Sequence, residues 1–282
     1  MRGSALATVA LLAGIAVHGA TPARADGPPE LESPSVVVLD ATTGDELYAR
    51  HADDARPIAS MTKIFVAMAV RKRKLDLARW TEINFDDAKA SAGGAHTLLL
   101  EGQTFNNRDL LYAMLLSSDN RVPSALARSV GLSNEELIER LGHVASDLGL
   151  THTRFDDATG ILGNESTARE MALALHATLR DPLLARIMTT RHAQVVSKSE
   201  QITASYTSTV RPLWDARYKI LGGKTGHTDG AGYCLLIEAE VGKRPVVMAF
   251  LGGRTDAARF ADFAKIMAWL TATGPPVAAT VH

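Results

Sequence analysis

Strand signals stand at the two ends of this chain and helix signals between them, an order that leaves few folds open. Near the N-terminus "SVVVLDATTGDELYAR", residues 35–50, reads as two strands around a Thr-Gly-Asp turn. Near the C-terminus "YCLLIEAE" and "RPVVMAFLGG" flank "VGK" as a second hairpin. From about Asn107 to Arg180 helix signals dominate, with two capping boxes, Ser133 with Glu136 and Thr167 with Glu170. No repeat, low-complexity run or long linker divides these parts. The order predicts one folded unit of α+β class, an antiparallel sheet with an inserted helical part.

Two further helices follow from periodicity. From Ser60 to about Arg71 the apolar residues Ile64, Phe65, Val66, Met68 and Val70 spread around most of the helix, which predicts burial on nearly all sides. From Asp256 to Leu270, Phe260, Phe263, Met267 and Leu270 share one face, while Asp256, Arg259, Asp262 and Lys265 share the other. That polar face carries both signs of charge, unlike the basic face of a membrane-lying helix, so it is read as packing on the sheet.

The first 25 residues have Arg2 in a short basic region, an apolar stretch from Ala5 to Val17, and Ala23-Arg24-Ala25 before Asp26. This is the pattern of a cleaved secretory signal peptide; the stretch is shorter than a membrane span and is interrupted by His18. An exported protein is expected, with a Pro-rich linker at 26–34 and no stable membrane anchor. The 30 basic against 31 acidic side chains give no reason to expect a nucleic-acid partner. The single cysteine, Cys234, lies in an apolar strand-like run, where it reads as a buried small hydrophobe and excludes an intramolecular disulfide.

Three short motifs could carry chemistry. In "IASMTKIF", Ser60 and Lys63 are three apart and share a helix face. A serine hydroxyl needs a nearby base, and lysine serves as one only when burial or another cation lowers its pKa. The other reading makes Ser60 a helix cap and lets Lys63 reach outward to water. In "LLSSDNR", Ser118 and Asn120 end an apolar helical run and can offer a hydroxyl for proton transfer and an amide for holding a substrate amide. Serine, Asp and Asn also simply favour helix ends. In "LGGKTGHTDGAGY", Lys224 and Thr225 at a strand edge could bind a carboxylate, with Gly226 letting the substrate approach the backbone; a surface hairpin with a solvated lysine is the alternative. Each motif occurs once, in this order, with 58 residues from Ser60 to Ser118 and 106 from Ser118 to Lys224.

The ordered trio S-x-x-K, S-D-N and K-T-G is shared by penicillin-binding proteins and class A β-lactamases. With "GGAHTLLLEGQ", "FDDATGI", "STAREMA" and the extended "GGKTGHTDGAGY", the chain resembles the low-molecular-mass penicillin-binding proteins, the D-alanyl-D-alanine carboxypeptidase and endopeptidase family, from about Ser35 to Leu270. The resemblance implies a β-lactamase/transpeptidase-like fold, with a peptidase domain at 35–273 and a tail at 274–282. It implies Ser60 as nucleophile, Lys63 as its base and Ser118 as proton relay, with no cofactor. It implies that Asn120 orients the substrate amide and that Lys224 and Thr225 bind the terminal carboxylate. It also implies an oxyanion hole from the backbone N–H groups of Ser60 and His227. Lys224, if close, would help keep Lys63 neutral.

His227 could suggest a triad, but the resemblance uses its backbone and Lys63 already fits as the base. No histidine pair has metal-ligand spacing, and no metal is implied. The implied partners are peptidoglycan stem peptides ending in D-Ala-D-Ala, with β-lactams as inhibitors, in the periplasm or cell envelope. Two rivals share the chemistry. A β-lactamase would need a water-activating glutamate, and "RFDDATGILGNE" holds no E-x-x-L-N pattern, Glu165 being assigned to the following helix cap. An endopeptidase fits "SSDNR" and a chain that ends soon after its last helix, at "TGPPVAATVH", where the carboxypeptidases of the family commonly carry an added β-domain and an amphipathic anchor, whereas "KTGHTDGAGY" looks like the carboxypeptidase form. A catalytically silent wall-binding protein has no motif in its favour.

Overall fold

A computed structural model describes residues 27–94 and 97–273; the expected signal peptide at 1–25 and tail at 274–282 lie outside the described residues. Its strands are β1 (Ser35–Asp40), β2 (Glu46–Arg50), β3 (Arg56–Pro57), β4 (Trp80–Glu82), β5 (Thr104–Asn106), β6 (Glu165–Ser166), β7 (His192–Val196), β8 (Thr203–Thr207), β9 (Lys219–Thr228), β10 (Gly232–Val241) and β11 (Arg244–Gly253). Its helices are α1 (Lys63–Lys72), α2 (Phe85–Ala90), α3 (Asn107–Ser117), α4 (Val122–Ser129), α5 (Asn134–Asp147), α6 (Ala168–Leu179), α7 (Pro182–Met188) and α8 (Asp256–Thr273).

Strands from both ends of the chain meet in one five-stranded sheet of order β2-β1-β11-β10-β9, with every pair antiparallel. The N-terminal hairpin joins the C-terminal one through the register Val36↔Phe250 and Val38↔Met248. Alternation along the strands divides the core in two. Val36, Val38, Leu235, Ile237, Met248 and Phe250 face α8 with Phe263, Ile266 and Leu270. Val37, Leu39, Leu236, Val247, Ala249 and Leu251 face the helical part.

At the centre of that part runs α1, buried at every position from Lys63 to Val70, as its all-round apolar pattern predicts. Phe65 meets Phe155 edge to face at 4.9 Å. The helix itself starts later than its apolar pattern does. Residues Ala59–Thr62 form a 3₁₀ turn, and α1 begins at Lys63. Ser60 lies inside this turn, so the reading of Ser60 as a helix cap is wrong.

Three other expectations change. The Ser133 and Glu136 capping box is complete, but at α6 only Thr167 caps, because Glu170 turns away to accept from His152 N (2.9 Å) and Thr153 Oγ1 (2.6 Å). On α8 the expected polar face is half buried: Asp262 accepts the backbone N–H groups of Glu32 (3.0 Å) and Ser33 (2.7 Å), and Arg259 is buried beneath β9. Charged groups are tolerated inside when their hydrogen bonds are supplied. Glu165 belongs to β6, paired with Pro57, and has no part in the cap of α6.

Candidate active site

Three segments meet at the β9 edge: the Ala59–Thr62 turn, the end of α3 and β9 itself. Among the described residues they enclose a cleft of about 790 Å³, lined on one side by Ser60, Ser118 and Asn120 and on the other by Thr225, Gly226 and His227. The nucleophile turn opens with Ala59 at φ 49, a left-handed conformation that a residue other than glycine adopts at some energetic cost. Two glycines let neighbours close on it. A Cβ at Gly160 (φ +86) would stand 2.0 Å from Ala59 O, and one at Gly226 would stand 2.9 Å from Ile58 O.

Lys63 Nζ donates to Ser60 Oγ at 2.9 Å and to Thr159 O at 2.7 Å. The side chain is fully buried, which rules out the outward-reaching alternative. Burial lowers its pKa to about 7, against the opposing pull of Asp157 and Asp119. Near neutral pH the amine is therefore available as a base within reach of the serine hydroxyl. The carbonyl of Thr159 is held by a loop that Asp157 and Asn164 organise. Asp157 accepts from Gly160 N (2.8 Å) and Ile161 N (3.1 Å), and Asn164 Nδ2 donates to Thr62 Oγ1 (2.9 Å).

Ser118 follows α3 in a left-handed conformation at φ 61, which turns Ser118 and Asn120 toward the cleft. Asp119 between them is buried and ties the turn down, accepting from Thr97 Oγ1 (2.7 Å), Tyr206 Oη (2.7 Å) and Arg121 N (3.1 Å). Burial and the Asp119 carboxylate raise the Tyr206 phenol above its ordinary range, so it stays a donor. Asn120 Oδ1 is buried without a partner among the described residues and lines the cleft, where it can accept from an amide N–H.

Lys224 is fully buried, contrary to the solvated-hairpin alternative, and donates to Ser118 Oγ and to Thr225 O (2.9 Å). Burial, then the charges of Lys63 and Arg259, push its pKa well below the usual lysine range. Thr225 Oγ1 lies 2.5 Å from Thr209 Oγ1. Arg259 Nη1 donates to Gly226 O and Cys234 O, both at 3.0 Å, fixing β9 from behind. Cys234 is buried and free, as expected. The His227 ring is exposed and stacks on Tyr233 at 4.0 Å, which leaves Lys63 as the basic group on Ser60.

All eight residues singled out in the sequence thus converge, five of them in two hydrogen-bonded groups, Ser60 with Lys63 and Lys224 with Ser118 and Thr225, and Asn120, Gly226 and His227 as cleft wall. The residues that periodicity and motif missed are Thr159, Asp157, Asn164, Thr209 and Arg259, of which only Asp157 and Thr159 fall in a stretch, "FDDATGI", already marked by resemblance. Among the described residues no group of three His, Cys, Asp or Glu side chains could hold a metal ion.

Residues 22–255 match the sequence profile of the D-alanyl-D-alanine carboxypeptidase family. The chain belongs to that family. This serine DD-peptidase is 31% identical to the D-alanyl-D-alanine endopeptidase of Pseudomonas aeruginosa, over all of this chain and 94% of that protein. It is 30% identical to the D-alanyl-D-alanine carboxypeptidase DacC of Escherichia coli, over 85% of this chain and 62% of that one. Its fold matches the Streptomyces K15 DD-transpeptidase with a TM-score of 0.80 at 27% identity, covering 86% of this chain and 98% of the other. The α+β, transpeptidase-like fold expected from the sequence is therefore the fold of this DD-peptidase. No helix among the described residues is long and apolar enough to cross a membrane.

Proposed function

We propose that this DD-peptidase cleaves peptidoglycan stem peptides ending in D-Ala-D-Ala through an acyl-enzyme on Ser60, and that β-lactams acylate the same serine. The observation that carries the proposal is the buried Lys63 amine, 2.9 Å from Ser60 Oγ and with its pKa lowered to about 7. Ser60 Oγ attacks the carbonyl of the penultimate D-alanine while its proton passes to Lys63 Nζ. Backbone N–H groups of Ser60 and His227 stabilise the oxyanion. The C–N bond breaks, the departing amine takes a proton through Ser118, and water then hydrolyses the ester. Asn120 Oδ1 accepts the substrate amide N–H, and Lys224 with Thr225 holds the carboxylate. The catalytic unit spans 35–273 and acts after export, in the periplasm or cell envelope.

Efficient β-lactamase turnover is not supported, since Glu165, the glutamate weighed for water activation, is exposed and does not line the cleft. A second reading, hydrolysis of D-alanyl cross-links, is favoured by the likeness to the Pseudomonas endopeptidase across the whole chain. The test is intact-protein mass after brief exposure to penicillin, with Ser60→Ala alongside. A stable penicilloyl adduct on the native protein and none on the variant is expected. Absence of both adduct and penicillin turnover in the native protein would overturn the proposal. Muropeptide monomers and dimers then separate carboxypeptidase from endopeptidase action.

A further inference from the structure

The cleft does not end at its carboxylate-binding side. Thr209, 2.5 Å from Thr225, is the last cleft-lining residue there, and the chain continues from it into the 3₁₀ turn Arg211–Trp214. Ser208, just before Thr209, donates its N–H to Arg191 O at 2.8 Å. Ser117, another cleft-lining residue, donates Oγ to Thr207 O at 2.8 Å, and Thr207 is paired with His192 across the β7–β8 hairpin. Arg191 and His192 are therefore immediate neighbours of the cleft rim.

On these two residues rests Trp214, 42% exposed. The His192 ring meets it edge to face at 4.6 Å, and the Arg191 guanidinium lies 5.6 Å from its ring centre. Arg191 Nε donates to Leu213 O (2.7 Å), which fixes the guanidinium beside the indole, and among the described residues no carboxylate pairs with it. An exposed indole flanked by an unpaired guanidinium is a surface that stacks on sugar or peptide and attracts a carboxylate.

We infer that Trp214, Arg191 and His192 form a subsite for the leaving strand of a cross-linked substrate, the second stem peptide with its sugar. The inference rests on the proposed reading, in which Ser60 takes the acyl group and Thr225 marks the leaving side. When one D-alanine departs, nothing extends past Thr209. When a cross-link is cut, the leaving amine belongs to a whole neighbouring strand, which must cross this rim. The subsite therefore selects cross-linked dimers over monomers.

The test compares Trp214→Ala and Arg191→Ala with the native protein on three substrates: a cross-linked muropeptide dimer, a monomeric pentapeptide muropeptide and penicillin. For the dimer kcat/KM falls about three- to tenfold, mainly through KM, while monomer hydrolysis and penicillin acylation stay within about twofold. Trp214→Phe, which keeps a ring on the same turn, recovers most of the dimer activity and guards against a folding defect. Unchanged dimer cleavage, or an equal fall on all three substrates, overturns the subsite. Native protein that takes penicillin and cleaves monomers but no dimers also overturns it and leaves the Ser60 reading standing. Native protein that does none of the three instead removes that reading itself.

Discussion

Replacing Lys63 with methionine separates what the lysine does for catalysis from what it does to the fold. Methionine keeps the length and apolar stem but carries no amine. In the native protein the Lys63 pKa is about 7, against an ordinary lysine value of 10.5. Below pH 7 the amine is protonated folded and unfolded, and that difference corresponds to about 5 kcal/mol of lost stability. Between pH 7 and 10.5 the unfolded chain binds a proton that the folded one does not, so stability rises with pH and the penalty shrinks to about 1 kcal/mol by about pH 9.5. Methionine escapes this penalty but leaves Thr159 O and Ser60 Oγ without their donor, at about 1–3 kcal/mol each. The stability of Lys63→Met relative to native is thus expected to lie between about −1 and +3 kcal/mol near pH 7 and to move by about 3 kcal/mol in the native protein's favour by pH 9.5. Urea denaturation of both proteins across this range measures the gap; the burial cost of Lys224, the larger cause of its shift, is common to both, and only the part caused by Lys63 differs. The variant forms no penicilloyl adduct at any pH. A stability gap that stays constant from pH 7 to 9.5 would refute the claim that a charged Lys63 is what the fold resists.

Three further outcomes follow from the same geometry. The rate of adduct formation in the native protein rises with pH to a plateau with its midpoint near 7, because only neutral Lys63 accepts the serine proton; an acid-favoured profile in stopped-flow acylation contradicts this. Gly160→Ala puts a Cβ 2.0 Å from Ala59 O at φ +86, a backbone clash no rotamer relieves, so the Ser60 turn shifts and acylation falls by about 100-fold or more. Tyr206→Phe removes a donor from buried Asp119 and lowers the urea-derived stability by about 1–3 kcal/mol; a neutral result would mean that Asp119 finds another donor.

The parts legible in the sequence are those set by local periodicity or by short motifs. The hairpin of β10 and β11 announces itself by apolar runs around Gly242-Lys243, and α1 by its all-round apolar surface. What escaped depends on partners distant in the chain. Asp262 and Arg259 look like solvent-facing charges on α8 because their partners, Ser33 N and Gly226 O, leave no mark on helical spacing. The β7–β8 hairpin went unseen since "HAQVV" and "TASYT" are short, polar on one face and separated by a polar loop. Thr159 was missed as a partner of Lys63 for a plain reason: its contribution is a carbonyl, which every residue has. Ser60, Ser118 and Lys224 were found because two hydroxyls and an amine at those positions are side-chain chemistry. The left-handed backbone at Ala59, which shapes the turn around the serine, has no such signature.

The contact between Ser118 and Lys224 joins residues 106 positions apart, and the sheet beneath it pairs Ser35 with Leu251. Closing such long loops comes late in assembly, after local helices and hairpins have formed. No half-built molecule can own the site, because each of its three segments is anchored to a different stretch of the chain. Covalent labelling by penicillin, proposed above to fall on Ser60, would consequently count finished molecules one for one. In a refolding experiment the label reports arrival at the native state, whereas circular dichroism registers the earlier gain of helix.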